Sequence, residues 1–339
     1  MSSFGYNVLG FGSSATVGSG SYGSSAVEIG TIPNTASGVY YVLAVSPNFS
    51  ESNVVYALRS TGAVNGSFDI LKSTDASENW TTQISGQAGN GSSYGFDILA
   101  ISDSVVVVQH RADLFRSTNS GASLTHVSNL SGGGQNNWGY LAWDGTYGMV
   151  PGYAGHFSTD NSFQSVTSRS SANYLMAAVP LTSNGGNVFL KTGYGSSGSP
   201  KTINTTNNQA GTLTNIQTTP TNEITCASDP HTSNVYFAKC SKTTNDFFYA
   251  TYSSVTMTAM NSGGSGTAAG NNGTMDVTNN GTMVYLMSDG LYYYNIGGTH
   301  TRFSTETTVN SVQSLDTDAN SIQFVLQNGK VYGIDLPTT

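Results

Sequence analysis

The sequence predicts an all-β protein assembled from repeated four-stranded antiparallel units, and three observations predict it. Short apolar runs rich in β-branched and aromatic residues recur along the chain, separated by turns of Gly, Asn, Ser and Pro. No segment keeps a 3.6-residue apolar period between capping residues, so almost no helix is expected. Finally, one phrase occurs three times: Ser73-Thr74-Asp75-Ala76-Ser77-Glu78-Asn79-Trp80, Ser117-Thr118-Asn119-Ser120-Gly121-Ala122-Ser123-Leu124 and Ser158-Thr159-Asp160-Asn161-Ser162-Phe163. Their first serines lie 44 and then 41 residues apart. A period of this length marks a repeated structural unit that buries its apolar face against its neighbours.

The elements follow in order. Residues 1–24 belong to no repeat. They carry an apolar hexamer, Asn7-Val8-Leu9-Gly10-Phe11-Gly12, and then a Gly/Ser tract, Gly18-Ser19-Gly20-Ser21-Tyr22-Gly23. Val8, Leu9 and Phe11 are expected to dock on a partner, with 13–25 as a flexible tether. The run 26–30 reads as a lone strand. Seven runs then read as the innermost strands of repeated units: 39–45, 96–101, 140–143, 174–179, 223–227, 274–277 and 311–315. Each is followed by a turn and a second strand, as at 53–59 after Ser46-Pro47-Asn48 and at 283–287 after Asn279-Asn280-Gly281, where Asn-Gly favours a tight hairpin. The last unit holds only three strands, 311–315, 322–326 and 330–334. Pairing 26–30 into it would complete the unit and cover two edges.

The repeated phrase resembles the Asp-box of sialidase-type β-propellers, whose pattern is Ser-x-Asp-x-Gly-x-x-Trp. The resemblance implies a seven-bladed β-propeller of four-stranded antiparallel blades over 25–339, its ring closed by the N-terminal strand. The local chemistry fits a hairpin brace. Asp75, Asn119 and Asp160 can accept backbone N–H bonds across the turn, and Ser73, Ser117 and Ser158 support it. Gly121 supplies positive φ, and Trp80 closes back onto the sheet. These residues are expected to be structural rather than catalytic. The phrase Ser46-Pro47-Asn48-Phe49 followed by Val54-Val55-Tyr56-Ala57 resembles the opening hairpin of such blades.

Composition limits the function. Charged residues make up 9% of the 339, far below the usual quarter, and hydrophobic residues make up 37%, with 19 Tyr and 14 Phe. The surface is therefore Ser, Thr, Asn and Gly. Net charge is −8 with 11 scattered Lys and Arg, which offers no basic patch for nucleic acid. No apolar run approaches the ~18 residues of a membrane span, and the first residues lack the pattern of a signal peptide. Cys226 and Cys240 flank the turn Asp229-Pro230-His231, a geometry that places Cys226 opposite about Tyr236 and disfavours a disulfide.

Catalysis finds little footing. A sialidase of the family the boxes resemble would need a converging arginine triad, a Tyr–Glu pair and an Arg-Ile-Pro phrase. Arg59, Arg111, Arg116, Arg169 and Arg302 are the only arginines and none precedes Pro. The five histidines are dispersed, with no metal-ligand pair at strand spacing. Asp316-Thr317-Asp318-Ala319-Asn320 reads as a hairpin turn rather than a Ca²⁺ loop. No enzyme, metal or cofactor is expected. Two aromatic groups are candidates for glycan or protein contact: Trp138, Tyr140, Trp143 and Tyr153, and Tyr292 with Tyr293.

A low-charge, Ser/Thr/Asn/Gly-rich β protein with an N-terminal docking segment resembles bacteriophage virion proteins, especially tail appendages. That resemblance implies a non-enzymatic structural protein on the tail or capsid surface of the virion. Its partners would be other virion proteins, met through the N-terminal arm in a homo-oligomeric or larger assembly. The alternative is a carbohydrate-binding propeller that recognises a host-surface glycan during adsorption. A glycan hydrolase is the third reading.

Overall fold

The computed structural model describes residues 26–33, 40–60, 66–89, 96–130, 141–143, 145, 148–152, 155–159 and 161–170. Beyond them it describes chiefly the strand residues within 177–302, then 312–317, 321–326 and 328–336. The elements are almost wholly β. Strand β1 (Val27–Thr31) precedes a first sheet of β2 (Tyr40–Val45), β3 (Val55–Ser60), β4 (Ser67–Ser73) and β5 (Thr81–Ala88). The second sheet is β6 (Phe96–Ala100), β7 (Val106–His110), β8 (Asp113–Ser117) and β9 (Thr125–Asn129). The third is β10 (Ala142–Trp143), β11 (Gly148–Gly152), β12 (Gly155–Thr159) and β13 (Thr167–Ser170). The fourth is β14 (Ala177–Leu181), β15 (Val188–Thr192), β16 (Lys201–Asn204) and β17 (Thr214–Asn215). The fifth is β18 (Thr225–Ser228), β19 (Val235–Lys239), β20 (Phe247–Thr251) and β21 (Thr258–Met260). The sixth is β22 (Met275–Val277), β23 (Met283–Met287), β24 (Gly290–Tyr294) and β25 (Thr301–Arg302). The last sheet takes β26 (Val312–Thr317), β27 (Ser321–Leu326) and β28 (Lys330–Asp335), with β1 as its fourth, outermost strand.

All pairings among the described residues are antiparallel neighbours in sequence except one. β1 pairs with β28, Val27 opposite Gly333 and Thr31 opposite Lys330, with a bulge between Glu28 and Gly30. First strands of neighbouring sheets lie side by side: β2 touches both β26 and β6, and contacts run from β10 through β14, β18 and β22 to β26. The second and third sheets are joined by a backbone hydrogen bond from Leu141 to the Asp97 carboxylate.

Burial explains the apolar runs. β3, β7 and β27 are buried at every position, whereas β5 reads e-e-i-i-e-e-i-e and β9 is largely exposed. Inner strands covered on both faces by adjacent sheets need apolar side chains on both, so they lose the alternation of a half-buried strand. The described junctions have cores of their own. Tyr41, Leu43 and Phe49 meet Val325 and Val331 between the last sheet and the first. Tyr56, Leu58 and Phe68 meet Ile98, Val108 and Phe115 between the first and second. Val107 and Leu114 meet Leu141, Val150 and Phe163 between the second and third.

The expectation of almost no helix holds, and two other expectations are corrected. A single helical turn, α1 (Phe49–Ser52), follows β2; it buries Phe49 and ends where Asn53 takes φ 55° and its amide bonds the Phe49 carbonyl. Asp316 and Thr317 belong to strand β26, not to a turn, and Asp316 Oδ2 accepts the Val45 amide at 2.6 Å. Cys226 stands opposite Ala238 rather than Tyr236, because the last paired residues of that hairpin are Ser228 and Tyr236. Cys240 lies outside the described residues, as does the arm with Val8, Leu9 and Phe11.

Candidate functional site

The three repeated phrases form three hairpin turns with one geometry. In the first, the amide of Ser77 donates to Ser73 Oγ at 2.8 Å and the amide of Asn79 to Asp75 Oδ1 at 2.9 Å. In the second, Gly121 donates to Ser117 Oγ and Ser123 to Asn119 Oδ1, both at 2.9 Å. In the third, the brace begins one residue later than the sequence reading placed it. Phe163 donates to Thr159 Oγ1 at 3.3 Å and Ser165 to Asn161 Oδ1 at 3.1 Å. Thr159 and Asn161 therefore stand where Ser158 and Asp160 were expected, and Asp160 itself lies outside the described residues. A Thr hydroxyl and an Asn amide oxygen accept the same two amides, so the geometry survives a change of both residue types.

The turns share one backbone path, with glycine or without it. A backbone bond closes each: Glu78 N to Asp75 O, Ala122 N to Asn119 O and Gln164 N to Asn161 O, all at 3.2 Å. The two central residues have positive φ in every copy: Ala76 55° and Ser77 76°, Ser120 61° and Gly121 84°, Ser162 54° and Phe163 60°. This is the arrangement of a type I′ turn. Only Gly121 escapes the steric cost, roughly 1–2 kcal/mol per residue for left-handed backbone. The side-chain braces and burial hold the others, with Ala76, Ser77 and Phe163 fully buried. The seventh place was missed by sequence reading. Asn79 Nδ2 donates to Asp75 Oδ2 at 2.8 Å, while Asn119 and Asn161 donate to Ser123 Oγ and Ser165 Oγ at 2.9 Å. Trp80, Leu124 and Val166 follow at the eighth place, and each packs on a junction core.

Each turn is tied to a neighbouring sheet. Lys72, directly before the first box, reaches Ser120 Oγ in the second at 3.0 Å. Arg116, directly before the second, donates from Nε to the Ser162 carbonyl in the third at 2.7 Å. Ser77 Oγ donates to Gln323 Oε1 on β27 at 2.6 Å. Asp103, in the β6–β7 turn, receives Ser46 Oγ at 2.5 Å and Ser52 Oγ at 2.8 Å from the first sheet. Burial alone would raise the Asp75 and Asp103 carboxyls, but their hydrogen bonds outweigh it and hold both below the ordinary range. Replacing Asp75 by Ala is expected to lower stability by about 1–3 kcal/mol through unpaired turn amides. Asp75→Asn, which copies Asn119 and Asn161, should lose less than half of that; equal losses in denaturant titrations would refute the brace.

Among the described residues Asp97 is the one carboxyl shown raised rather than lowered. It is fully enclosed on β6, and burial pushes it up to about 8 despite the amides of Leu141 and Ile98 that it accepts. Its in-register neighbour on β7 is Gln109, whose amide nitrogen and oxygen are buried without a partner. No sequence pattern marked this residue, because one Asp inside an apolar strand reads as noise.

The far end of the sheets carries aromatic rings. The Ala76 amide bonds the Asn53 carbonyl just beyond α1, so the boxes lie at the Val45 end of β2 and Tyr40 at the opposite end. Tyr40 opens β2 and is 50% exposed; its ring stacks on Phe96, the first residue of β6, at 5.8 Å and 19°. Phe96 rests on His110 at 5.1 Å, and His110 on Phe68 at 4.6 Å. His110 Nε2 lies 3.1 Å from Ser60 Oγ, and burial, with the Arg111 charge, pushes the imidazole down to about 3, so it is neutral. Arg59 is bound to Asp69 at 2.6 Å and to the Pro33 carbonyl.

Of the aromatic contact residues expected from sequence, Trp143 is half-buried and packs on Phe163 at 5.8 Å within the junction core, not on an open surface. Tyr293 packs on the Val284–Phe324 core. Tyr292 lies on β24, opposite Arg302; Trp138, Tyr140 and Tyr153 lie outside the described residues. Tyr40 and Phe96 were missed, since each opens a strand that looks like all the others. Among the described residues no group of three His, Cys, Asp or Glu could hold a metal ion, and no helix is long and apolar enough to cross a membrane.

No family model matches the chain, and no curated protein sequence matches it. Solved structures do. The extracellular domain of a putative hybrid two-component system from B. thetaiotaomicron aligns with TM-score 0.62 and 9% identity over 92% of this chain. The chain spans only 40% of that protein. YCF48 bound to D1 peptide aligns with TM-score 0.58 and 10% identity, covering 92% of this chain and 94% of that one. The C-terminal WD40 domain of Sif2 aligns with TM-score 0.60 and 10% identity, covering 91% and 84%. At such identities the likeness is one of fold, and with the four-stranded antiparallel sheets it makes this chain a β-propeller.

Proposed function

We propose that the protein is a non-enzymatic, seven-bladed β-propeller of the Asp-box type over 25–339. In this reading it belongs to a bacteriophage virion, as a tail appendage or capsid-surface module held by the arm 1–24. β1 closes the ring as the fourth strand of the last blade. The observation that carries the reading is the place of β1. It is the outermost strand of its sheet, with Val27 47% exposed, so residue 26 stands at the rim of the disc. A segment attached there is placed to reach a neighbouring body without crossing either propeller face. The carboxylates Asp69, Asp75, Asp97 and Asp103 are each held by hydrogen bonds within the fold, which favours scaffold over catalysis.

The test is incorporation. Protein truncated by residues 1–12 should fold and stay soluble yet be absent from purified particles by mass spectrometry, while the full chain is present. Absence of the full chain from particles removes the virion reading. Normal incorporation of the truncated chain moves the anchor to a propeller face. A second reading, recognition of a host-surface carbohydrate, is favoured by one observation, the exposed Tyr40 stacked on Phe96.

A further inference from the structure

We propose that Tyr40 and Phe96 form a stacking platform for a neutral pyranose ring, at the end of the first two sheets away from the box turns. This rests on the recognition reading above and gives it a place and a ligand class. Two large hydrophobic side chains are exposed among the described residues, Val27 and Tyr40, and Val27 lies on the outermost strand. Tyr40 differs from an incidental surface ring. Its neighbour Tyr41 is buried in the junction core at 1% exposure, which sets the face on which Tyr40 projects. One face of its ring lies on Phe96 at 19°, and half the residue is open to solvent.

The platform is held from behind. Phe96 contacts His110, which is fully buried and contacts Phe68 in turn, and Phe68 leads to Phe115 at 5.5 Å. A ring supported by such a stack loses little freedom when a ligand covers it, so the contact is preorganised. His110 itself is fixed in place: its Nε2 lies 3.1 Å from Ser60 Oγ, and its buried Nδ1 lies against Gly89. Aromatic faces present a flat apolar surface with negative quadrupole, suited to the C–H face of a sugar.

Charge selects the sugar. The chain carries a net −8, and the described cations of the first two sheets are engaged within the fold or buried, Arg111 at 1% exposure. Arg59 is taken by Asp69 and Pro33, Lys72 by the Ser120 turn, and Arg116 by Ser162. A sialylated or uronic-acid glycan would meet a repulsive field with no free guanidinium among the described residues of these two sheets to anchor its carboxylate. A neutral hexose polymer meets no such penalty.

The experiment uses the full chain on an array of neutral glucose-, galactose- and mannose-based oligosaccharides beside sialylated and uronic-acid ones. The expected result is binding confined to neutral glycans. Tyr40→Ala should weaken it at least tenfold, Tyr40→Trp should retain it, and both variants should melt with the wild type because the side chain is exposed. Silence of the wild type on every neutral glycan overturns the proposal, as does unchanged binding by Tyr40→Ala or a preference for acidic glycans. Weak binding by Tyr40→Trp as well would mean that the site reads tyrosine itself rather than a stacking face, and would overturn it too. Incorporation into particles is scored separately, so either reading can fail while the other stands.

Discussion

Deleting residues 1–31 is expected to lower the melting temperature by about 5–10 °C, while deleting 1–24 leaves it unchanged. The first deletion removes β1, whose register joins Val27, Glu28, Gly30 and Thr31 to Gly333, Tyr332, Val331 and Lys330. Three or four backbone bonds at about 1 kcal/mol each disappear, and β28 becomes an exposed edge. The Lys330–Glu28 pair adds little, since both side chains are 42% exposed. In a domain of this size a kilocalorie corresponds to about 2–4 °C. The strand also packs on the first box. A Cβ on Gly30 would lie 2.6 Å from the Glu78 carbonyl oxygen and closer still to that of Ser77. Gly30→Val should therefore approach the effect of the deletion, because backbone atoms have no rotamer by which to yield. Calorimetry of the three variants decides it: a melting point for the 1–31 deletion equal to that of the 1–24 deletion would mean that β1 is dispensable.

The second large effect is a pH dependence carried by Asp97. Its folded-state pKa, about 8, lies above the ordinary carboxylate value of the unfolded chain. Between those two values the native state holds a proton that the unfolded state has released. Stability therefore falls as pH rises, by about 1.4 kcal/mol per unit, and levels off above about 8. His110 acts in the opposite sense. Its pKa is lowered to about 3 in the fold, so stability rises with pH from about 3 to its ordinary value near 6.5 and is flat beyond. The two slopes oppose each other below about pH 6.5, and Asp97 alone governs the window from 6.5 to 8, a loss of about 2 kcal/mol. Asp97→Asn should abolish that decline. Its Oδ1 can still accept one backbone amide, but its NH₂ cannot accept the other, so the flat curve should come with a loss of about 1–3 kcal/mol at pH 6.5. Asp97→Leu should cost about 2–4 kcal/mol at pH 6.5, because the amides of Ile98 and Leu141 lose their acceptor, and the gap to wild type should narrow toward pH 8 as wild type declines. Urea titrations at half-unit intervals from pH 5 to 9 measure both. A wild-type curve that is flat from 6.5 to 8 would show that Asp97 titrates in the ordinary range.

Much of the architecture was legible because it is written in local chemistry. The lone run at 26–30 appears as Val27–Thr31, and the inner runs at 39–45, 96–101 and 311–315 appear as Tyr40–Val45, Phe96–Ala100 and Val312–Thr317. Strand middles are apolar on both faces and turns are Gly, Asn and Ser, so periodicity and composition mark them. The third box was misread by one residue. Two hydroxyl residues and two turn-forming residues stand side by side at Ser158-Thr159-Asp160-Asn161, and either pair satisfies the pattern. What decides between them is the side of the strand: Thr159 has to face the turn so that its hydroxyl reaches the Phe163 amide.

By itself the sequence determined the all-β class, the repeat length and, to within one residue, the places of the three box turns, since each is carried by short local phrases. Only the tertiary structure decided which residues meet across sheets. The link from Asp316 to Val45 spans 271 positions, and that from Ser77 to Gln323 spans 246. Tyr40 and Phe96 form a pair because two strand starts are brought side by side when the sheets pack. Asp97 becomes an uncharged buried acid because two neighbouring sheets exclude water from it. Desolvation, stacking and register between sheets are properties of packed surfaces, and a linear pattern carries no record of which surface a strand will face.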